Sequence, residues 1–340
     1  MRKVLSFIFI LCAATAVAAA PDPLGTAAFS RVPVGARAPA LGGGITAADG
    51  ESTAILANPA SLAGLAFPLT ACTSTGLLPF GQSQFFLGIA GWALPELAVG
   101  FGAVYYGAGS DLEARRANTI EPDEMQSMLS QEYALGVAGS LFTALDIGLN
   151  FKILLDQLGE YDAFGTSADF GAVYRPFPRV STALAVQDFL GEPVGGTMDW
   201  STDATDIIES SLRLGGALDL NPVLLVAEIR GVWGAWSRVS FGAEWDVYPA
   251  FTARAGVDDG RMGLGFGARM VTRRHHEFRL DYALVQGALG GTDFEHRFTI
   301  TANLSRWNWP MGQLLLPTEE PGPAERSRVR LRPNPLFILP

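Results

Sequence analysis

The sequence predicts an all-β fold, a fourteen-stranded antiparallel transmembrane β-barrel with an N-terminal segment plugging its lumen. Three observations predict it. Between Phe67 and Leu304 the chain divides into fourteen runs of about ten residues, the length a tilted strand needs to cross a bilayer. Within those runs apolar and charged residues alternate with a period of two. The connections between runs alternate between tight turns and longer loops, all behind an export signal.

Arg2 and Lys3 precede an apolar run from Val4 to Val17, and Ala16, Ala18 and Ala20 offer small residues to a signal peptidase, so residues 1–20 read as a signal peptide. Leu11 is too large for the residue before a lipidated cysteine, so Cys12 is an ordinary signal-peptide cysteine. Its removal leaves Cys72 alone, and the mature chain can form no intramolecular disulfide. The chain is 49% hydrophobic and only 17% charged, yet after residue 20 no run of 18 apolar residues is free of charge or glycine, which disfavours a spanning helix. A net charge of −10 without a basic stripe argues against nucleic acid as a partner.

The alternation is clearest in six runs. Leu145, Ile147, Leu149, Phe151 and Ile153 oppose Asp146, Gly148, Asn150 and Lys152, and Val239, Phe241, Ala243 and Trp245 oppose Arg238, Ser240, Gly242 and Glu244. Met262, Leu264, Phe266 and Met270 oppose Arg261, Gly263, Gly265, Gly267 and Arg269. Phe278, Leu280, Tyr282 and Leu284 oppose Glu277, Arg279 and Asp281. Leu225, Ala227 and Ile229 oppose Glu228 and Arg230, and Leu212, Leu214 and Leu218 oppose Arg213 and Asp219. The charged face is assigned to the lumen, because each charge on the lipid face would cost ~2–4 kcal/mol at the bilayer midplane.

A soluble β-sandwich or propeller has the same period, so the connections decide. Every second connection is short: Ala93 to Pro95, Thr143, Pro176 to Arg179, Asn221 to Pro222, Tyr248 to Pro249 and Val271 to Arg274. The others include Ala108 to Ser130 and Gly191 to Glu209, with shorter loops at Asp156 to Asp162 and Gly287 to Asp293. Segregation of this kind is expected of an outer-membrane barrel with both termini in the periplasm, and a sandwich has no reason for it. Glu121, Met125, Met128 and Leu129, and Ile207 with Ile208, suggest short helices within the two longest connections.

Residues 21–65 are too small and irregular for lipid-facing strands and fit a plug inside the lumen. Gly35-Ala36-Arg37, Leu41-Gly42, Asp49, Ser52, Ala54 and Asn58-Pro59-Ala60 followed by Leu62 resemble the hatch signature of FadL-like and PorV-like outer-membrane barrels, and His296-Arg297-Phe298 resembles their last strand. Ala57 stands where that family has an aromatic residue, and Ser61 where it has glycine. The resemblance implies that Asn58, Pro59 and Ala60 anchor a hatch to the inner wall; a helix-ending Asn-Pro in an ordinary loop is the rival reading. Inward glycines, Gly263, Gly265 and Gly267 on one strip and Gly100 and Gly102 on another, would let the plug backbone approach. The barrel proper is assigned to residues 66–305 and a Pro-rich periplasmic tail to 306–340, either disordered or a partner-binding peptide.

No catalytic constellation, cofactor or metal site is expected. Gly-x-Ser-x-Gly and Gly-Lys-Ser/Thr are missing, and the neighbours His275 and His276 would point to opposite faces of a strand. The lumen charges Asp146, Lys152, Arg213, Glu228, Arg230, Arg238, Glu244, Arg279 and Asp281 form either a polar path or ladders that hold the plug. The resemblance carries two functions: passage of apolar small molecules across the outer membrane by hatch movement, or a non-enzymatic docking and shuttle role with secretion-system proteins. The first predicts a continuous apolar pocket beneath the two long connections, the second a sealed lumen. Outer-membrane lipid is the partner common to both.

Overall fold

The computed structural model describes residues 27–48, 50–114, 124–189, 196–232, 235–287 and 293–305. The assigned signal peptide, Asp49, Glu121 and the tail lie outside them. The strands are β1 (Leu69–Leu77), β2 (Gln82–Leu94), β3 (Leu97–Ala114), β4 (Glu124–Phe142), β5 (Leu145–Leu158), β6 (Tyr161–Phe177), β7 (Val180–Gln187), β8 (Thr197–Trp200) and β9 (Thr205–Ile207). They continue with β10 (Ser211–Asp219), β11 (Val223–Val232), β12 (Ala235–Tyr248), β13 (Phe251–Asp258), β14 (Arg261–Val271), β15 (Glu277–Gln286) and β16 (Phe294–Leu304). All pairings are antiparallel, and β1 pairs with both β2 and β16, Leu69 lying opposite Gly91 and Leu304. The sheet therefore closes on itself as a 14-stranded barrel to which β8 and β9 are added.

Alternation sets which face looks out. In β5, Asp146, Gly148, Asn150 and Lys152 are buried, while Leu149 and Phe151 are each 49% exposed. In β14, Leu264 and Phe266 are more than half exposed, and Gly263 and Gly267 are buried. Exposed leucines and phenylalanines recur around the ring, a belt that only a hydrocarbon surrounding makes favourable. No helix among the described residues is long and apolar enough to cross a membrane.

The two ends of the barrel differ. At one end the connections are tight: Thr143–Ala144, Pro178–Arg179 and Pro249–Ala250 each join strands with two residues. At the other, β3 and β4 run for 18 and 19 residues and stay paired through a register shift, Glu113 opposite Met125. At about 3.3 Å per residue and a tilt near 40°, such strands rise on the order of 45 Å, well beyond the ~30 Å hydrocarbon layer.

Several expectations are corrected here. The helical spacing of Met125, Met128 and Leu129 is overridden by pairing, because Met128 faces Leu158 of β5 and the ladder satisfies its backbone. The connection from Gly191 to Glu209 holds β8 and β9 instead of a helix. β8 continues β7 along β6: Phe170 pairs with Val186 and Thr166 with Thr197, and residues 190–195 between them lie outside the described ones. Asp156 to Asp162 is a tight Gly159–Glu160 turn, Gly159 having φ 59, and Asp259–Gly260 is another, so the extended end carries tight turns as well as long strands. His275 and His276 lie in the turn before β15, not on a strand.

Candidate functional site

The segment Ala27–Leu65 occupies the interior. It has too few large apolar side chains for a strand and folds into single turns, Ala28–Arg31, Arg37–Ala40, Ser52–Leu56 and Pro59–Gly64. Asn58 caps the last of these: its backbone is extended, its Oδ1 accepts from Ala60 N at 3.0 Å, and Pro59 takes the first helical position, where no N–H is needed. The Asn58 amide donates to Thr46 O at 2.9 Å and reaches Ala172 O of β6 at 3.5 Å. One side chain thus joins two parts of the segment to the wall.

Close approach is permitted by missing side chains. A Cβ on Gly148 would lie 2.5 Å from Ala60 N, and one on Gly242 would lie 2.6 Å from Leu41 O. Gly265 abuts Ala40, while Gly100 and Gly102 abut Ile55. Gly35 turns the chain at φ 76, after which Ala36 N donates to Thr299 Oγ1 at 2.8 Å. Further backbone groups of the segment are met from the wall. Arg297 donates to Pro33 O at 2.6 Å, Ser181 to Ala47 O at 2.9 Å, Gln187 to Leu56 O at 2.6 Å and Asn150 to Ile55 O.

The strongest junction is a closed ring of six charges, alternating in sign. Arg37 donates to Glu244 at 2.8 Å, Arg254 bridges Glu244 at 2.8 Å and Asp281 at 2.6 Å, and Arg279 holds Asp281 at 2.7 Å. Arg279 also contacts Glu51, and Glu51 closes the ring on Arg37 at 3.7 Å. Arg37 and Glu51 come from the inner segment; the other four come from β12, β13 and β15. With three charges of each sign and side-chain exposures of 18% or less, every ion is compensated in place.

The opposite side is apolar. Ile55, Leu62 and Leu65 bury themselves against Phe86, Val104, Ala134 and Ala138 of β2 to β4. Toward the extended end, Ala27 and Phe29 share a cluster with Leu154, Ala163, Met198 and Ile208, flanked by Tyr106 and Trp200. The segment therefore rises through the barrel, with Ala27 at the end remote from Leu69 and Leu304. A small, partly open pocket of about 20 Å³ lies among Ser30 to Val34, Ile45, Leu56 and Arg213.

A crystal structure of a Pseudomonas aeruginosa FadL homologue aligns with TM-score 0.56 at 12% identity, covering 80% of this chain and 98% of that one. The Pseudomonas putida toluene transporter TodX aligns with TM-score 0.57 at 14% identity, covering 78% and 95%. The chain has the FadL-like outer-membrane barrel fold. No protein-family model matches it, and no curated protein sequence does. TodX is a toluene transporter, and a TodX mutant is described as a monoaromatic hydrocarbon channel.

Within this FadL-like barrel the charges named from sequence separate into distinct groups. Arg37, Glu244, Arg279 and Asp281 meet in the ring. Lys152 binds Asp169 at 2.8 Å and Asp188 at 2.5 Å. Arg213 stands 3.7 Å from Glu228, whose other oxygen accepts from Thr46 N at 3.1 Å. Arg230, Arg238 and Arg261 converge on Asp258 at 2.5, 3.7 and 2.9 Å. Asp146 pairs with Arg175 near the tight-turn end and accepts from Ser140 at 2.6 Å. Sequence reasoning missed Glu51, Asp188 and Asp258. Glu51 carried a signal, a lone carboxylate beside small residues that must be buried; Asp188 and Asp258 stand at strand ends, where alternation assigns no face. Among the described residues no group of three or more His, Cys, Asp or Glu is arranged for a metal ion.

Proposed function

We propose that this chain is a non-enzymatic outer-membrane barrel that passes hydrophobic small molecules, and that residues 21–65 are its hatch. Residues 1–20 would direct export, the tight turns and Leu304 would face the periplasm, and residues 306–340 would form a periplasmic tail. The observation that carries this reading is the apolar cluster of Tyr106, Leu154, Met198, Ile208 and Phe29 beneath the extended strands of a FadL-like barrel. An apolar molecule entering there meets apolar walls, and the hatch must give way before it passes. Heat-modifiable migration together with hydrophobic compounds found by mass spectrometry in the purified protein would support the proposal. A barrel that migrates so but neither co-purifies with nor binds any hydrophobic compound would overturn it.

The many hydrogen bonds and ion pairs that fasten the inner segment to the wall favour a second reading, the PorV-like one, in which the lumen stays sealed and the barrel docks or shuttles secretion-system proteins. It predicts that a hatch fixed to the wall leaves the protein fully functional.

A further inference from the structure

Glu132 of β4 lies on the inner face of the barrel, in the cross-strand row Val104–Glu132–Leu154. Val104 packs in the cluster that holds Ile55 of the hatch, and Leu154 in the cluster that holds Phe29, so hatch side chains cover the row on both flanks. A carboxylate set between two apolar clusters is costly without a cation beside it.

The surrounding charges do not supply one. The charged groups acting on Glu132 are Lys152 of β5, Asp169 of β6 and Asp188 just past β7. That is three carboxyl groups to one ammonium, every residue 2% exposed or less. Lys152 is committed to Asp169 at 2.8 Å and to Asp188 at 2.5 Å, and among the described residues no ion pair reaches Glu132. Its Oε2 is buried without a hydrogen-bond partner, as are Asp188 Oδ2 and the hydroxyl of Ser167, which stands opposite Lys152 on β6. Arg213 of β10 also faces Asp169, but Glu228 is its counter-ion. Tyr106 of β3 and Asp156 of β5 stand opposite Ser130, two residues from Glu132, and neither brings positive charge. Of the described hatch charges, Arg37 and Glu51 belong to the ring with Glu244, and Arg31 faces Arg213.

We infer that Glu132 carries a proton while the hatch is docked, and that loss of this proton at high pH releases the hatch, an inference that rests on the inner segment being a movable hatch. A neutral Glu132 leaves Asp169 and Asp188 to share Lys152. The same cluster backs the groups that hold the hatch. Asn150, two residues from Lys152 on the same face, donates to Ile55 O and lies 3.4 Å from Asp169 Oδ2, while Gln187, beside Asp188, donates to Leu56 O at 2.6 Å. Ionising Glu132 adds repulsion at that point. Once the hatch leaves, water reaches the row and Glu132 ionises as a free glutamate does, near ~4.3. The docked state then binds one proton that the open state lacks, so docking weakens as pH rises above that value. The open population grows about tenfold per pH unit until the docked Glu132 itself ionises.

The test follows thiol labelling of the buried Cys72 in the mature protein in lipid nanodiscs, across neutral pH, for the parent and for Glu132→Gln. Taking the ratio of the two rates cancels the ionisation of the thiol itself. That ratio is expected to rise with pH, by about tenfold per unit where it is steepest. The infrared spectrum of the parent at neutral pH is expected to show a protonated-carboxyl band that the variant lacks. If Glu132→Gln fails to migrate as a folded barrel, Glu132→Met takes its place. A ratio independent of pH, a parent spectrum without the band, or a ratio set by sodium or potassium concentration in place of pH would overturn the inference. Labelling of neither protein at any pH, with the band present, would sink the movable hatch and keep the proton.

Discussion

Glu51→Gln is the most informative perturbation of the charge ring, because it keeps the side-chain shape and removes one hatch-side anion. Glu51 contacts Arg279 and stands 3.7 Å from Arg37. Breaking a buried pair by removing one partner costs about 3–5 kcal/mol, and the lower end applies here because Arg37 keeps Glu244 and Arg279 keeps Asp281. About 3 kcal/mol on hatch docking is roughly a hundredfold rise in the undocked population, at 1.4 kcal/mol per factor of ten. Cys72 reads this directly: it is 4% exposed, and its Sγ accepts from Ser52 Oγ of the hatch at 2.9 Å. When reclosing outpaces the thiol reagent, the labelling rate follows the open population, so Glu51→Gln should label about 100-fold faster while keeping heat-modifiable migration. The double variant Arg37→Met/Glu51→Gln leaves Glu244, Arg254, Asp281 and Arg279 balanced, and should cost less than the two single changes added, by about 1–2 kcal/mol. Labelling within twofold of the parent, or strict additivity, would refute the view that the ring latches the hatch.

Three further outcomes are expected. Asn58→Ala removes the cap and the bridge to Thr46, and at about 1–2 kcal/mol should speed Cys72 labelling roughly five- to thirtyfold. Gly148→Val drives a side chain into the Pro59–Ala60 backbone at a cost of about 1–3 kcal/mol and should also speed labelling, whereas Gly216→Ala, whose nearest neighbour is Ser181 O at 4.0 Å, should change it less than twofold. Leu264→Lys, on the lipid face, should destabilise the bilayer-folded barrel by ~2–4 kcal/mol in a denaturant titration without altering the labelling of folded protein.

The barrel was legible because a strand facing lipid on one side and a polar interior on the other must alternate, as β5 and β14 do residue by residue. The turn at Asn58-Pro59-Ala60 was legible because its cap geometry is local. Partners across the lumen were not: nothing in the spacing of Arg37 and Glu244 shows that they meet, since the contact depends on barrel radius and on how far the hatch rises. The extra height of β3 and β4 escaped notice because helical and strand spacing overlap in a short apolar run such as Met125 to Leu129. The place of Ala27, far from Leu69 and Leu304, follows from the path of the whole segment rather than from any one residue.

The hatch role is tested most directly by locking the hatch. Ser52 Oγ lies 2.9 Å from Cys72 Sγ, so Ser52→Cys brings a second sulfur close to the roughly 2 Å of a disulfide bond and ties the hatch to β1 through the native cysteine. Uptake of labelled toluene and 1-decanol by cells carrying this variant should fall to the level of cells without the barrel under oxidising conditions and return on reduction. Uptake above that background and equal in the oxidised and reduced states would contradict a moving hatch.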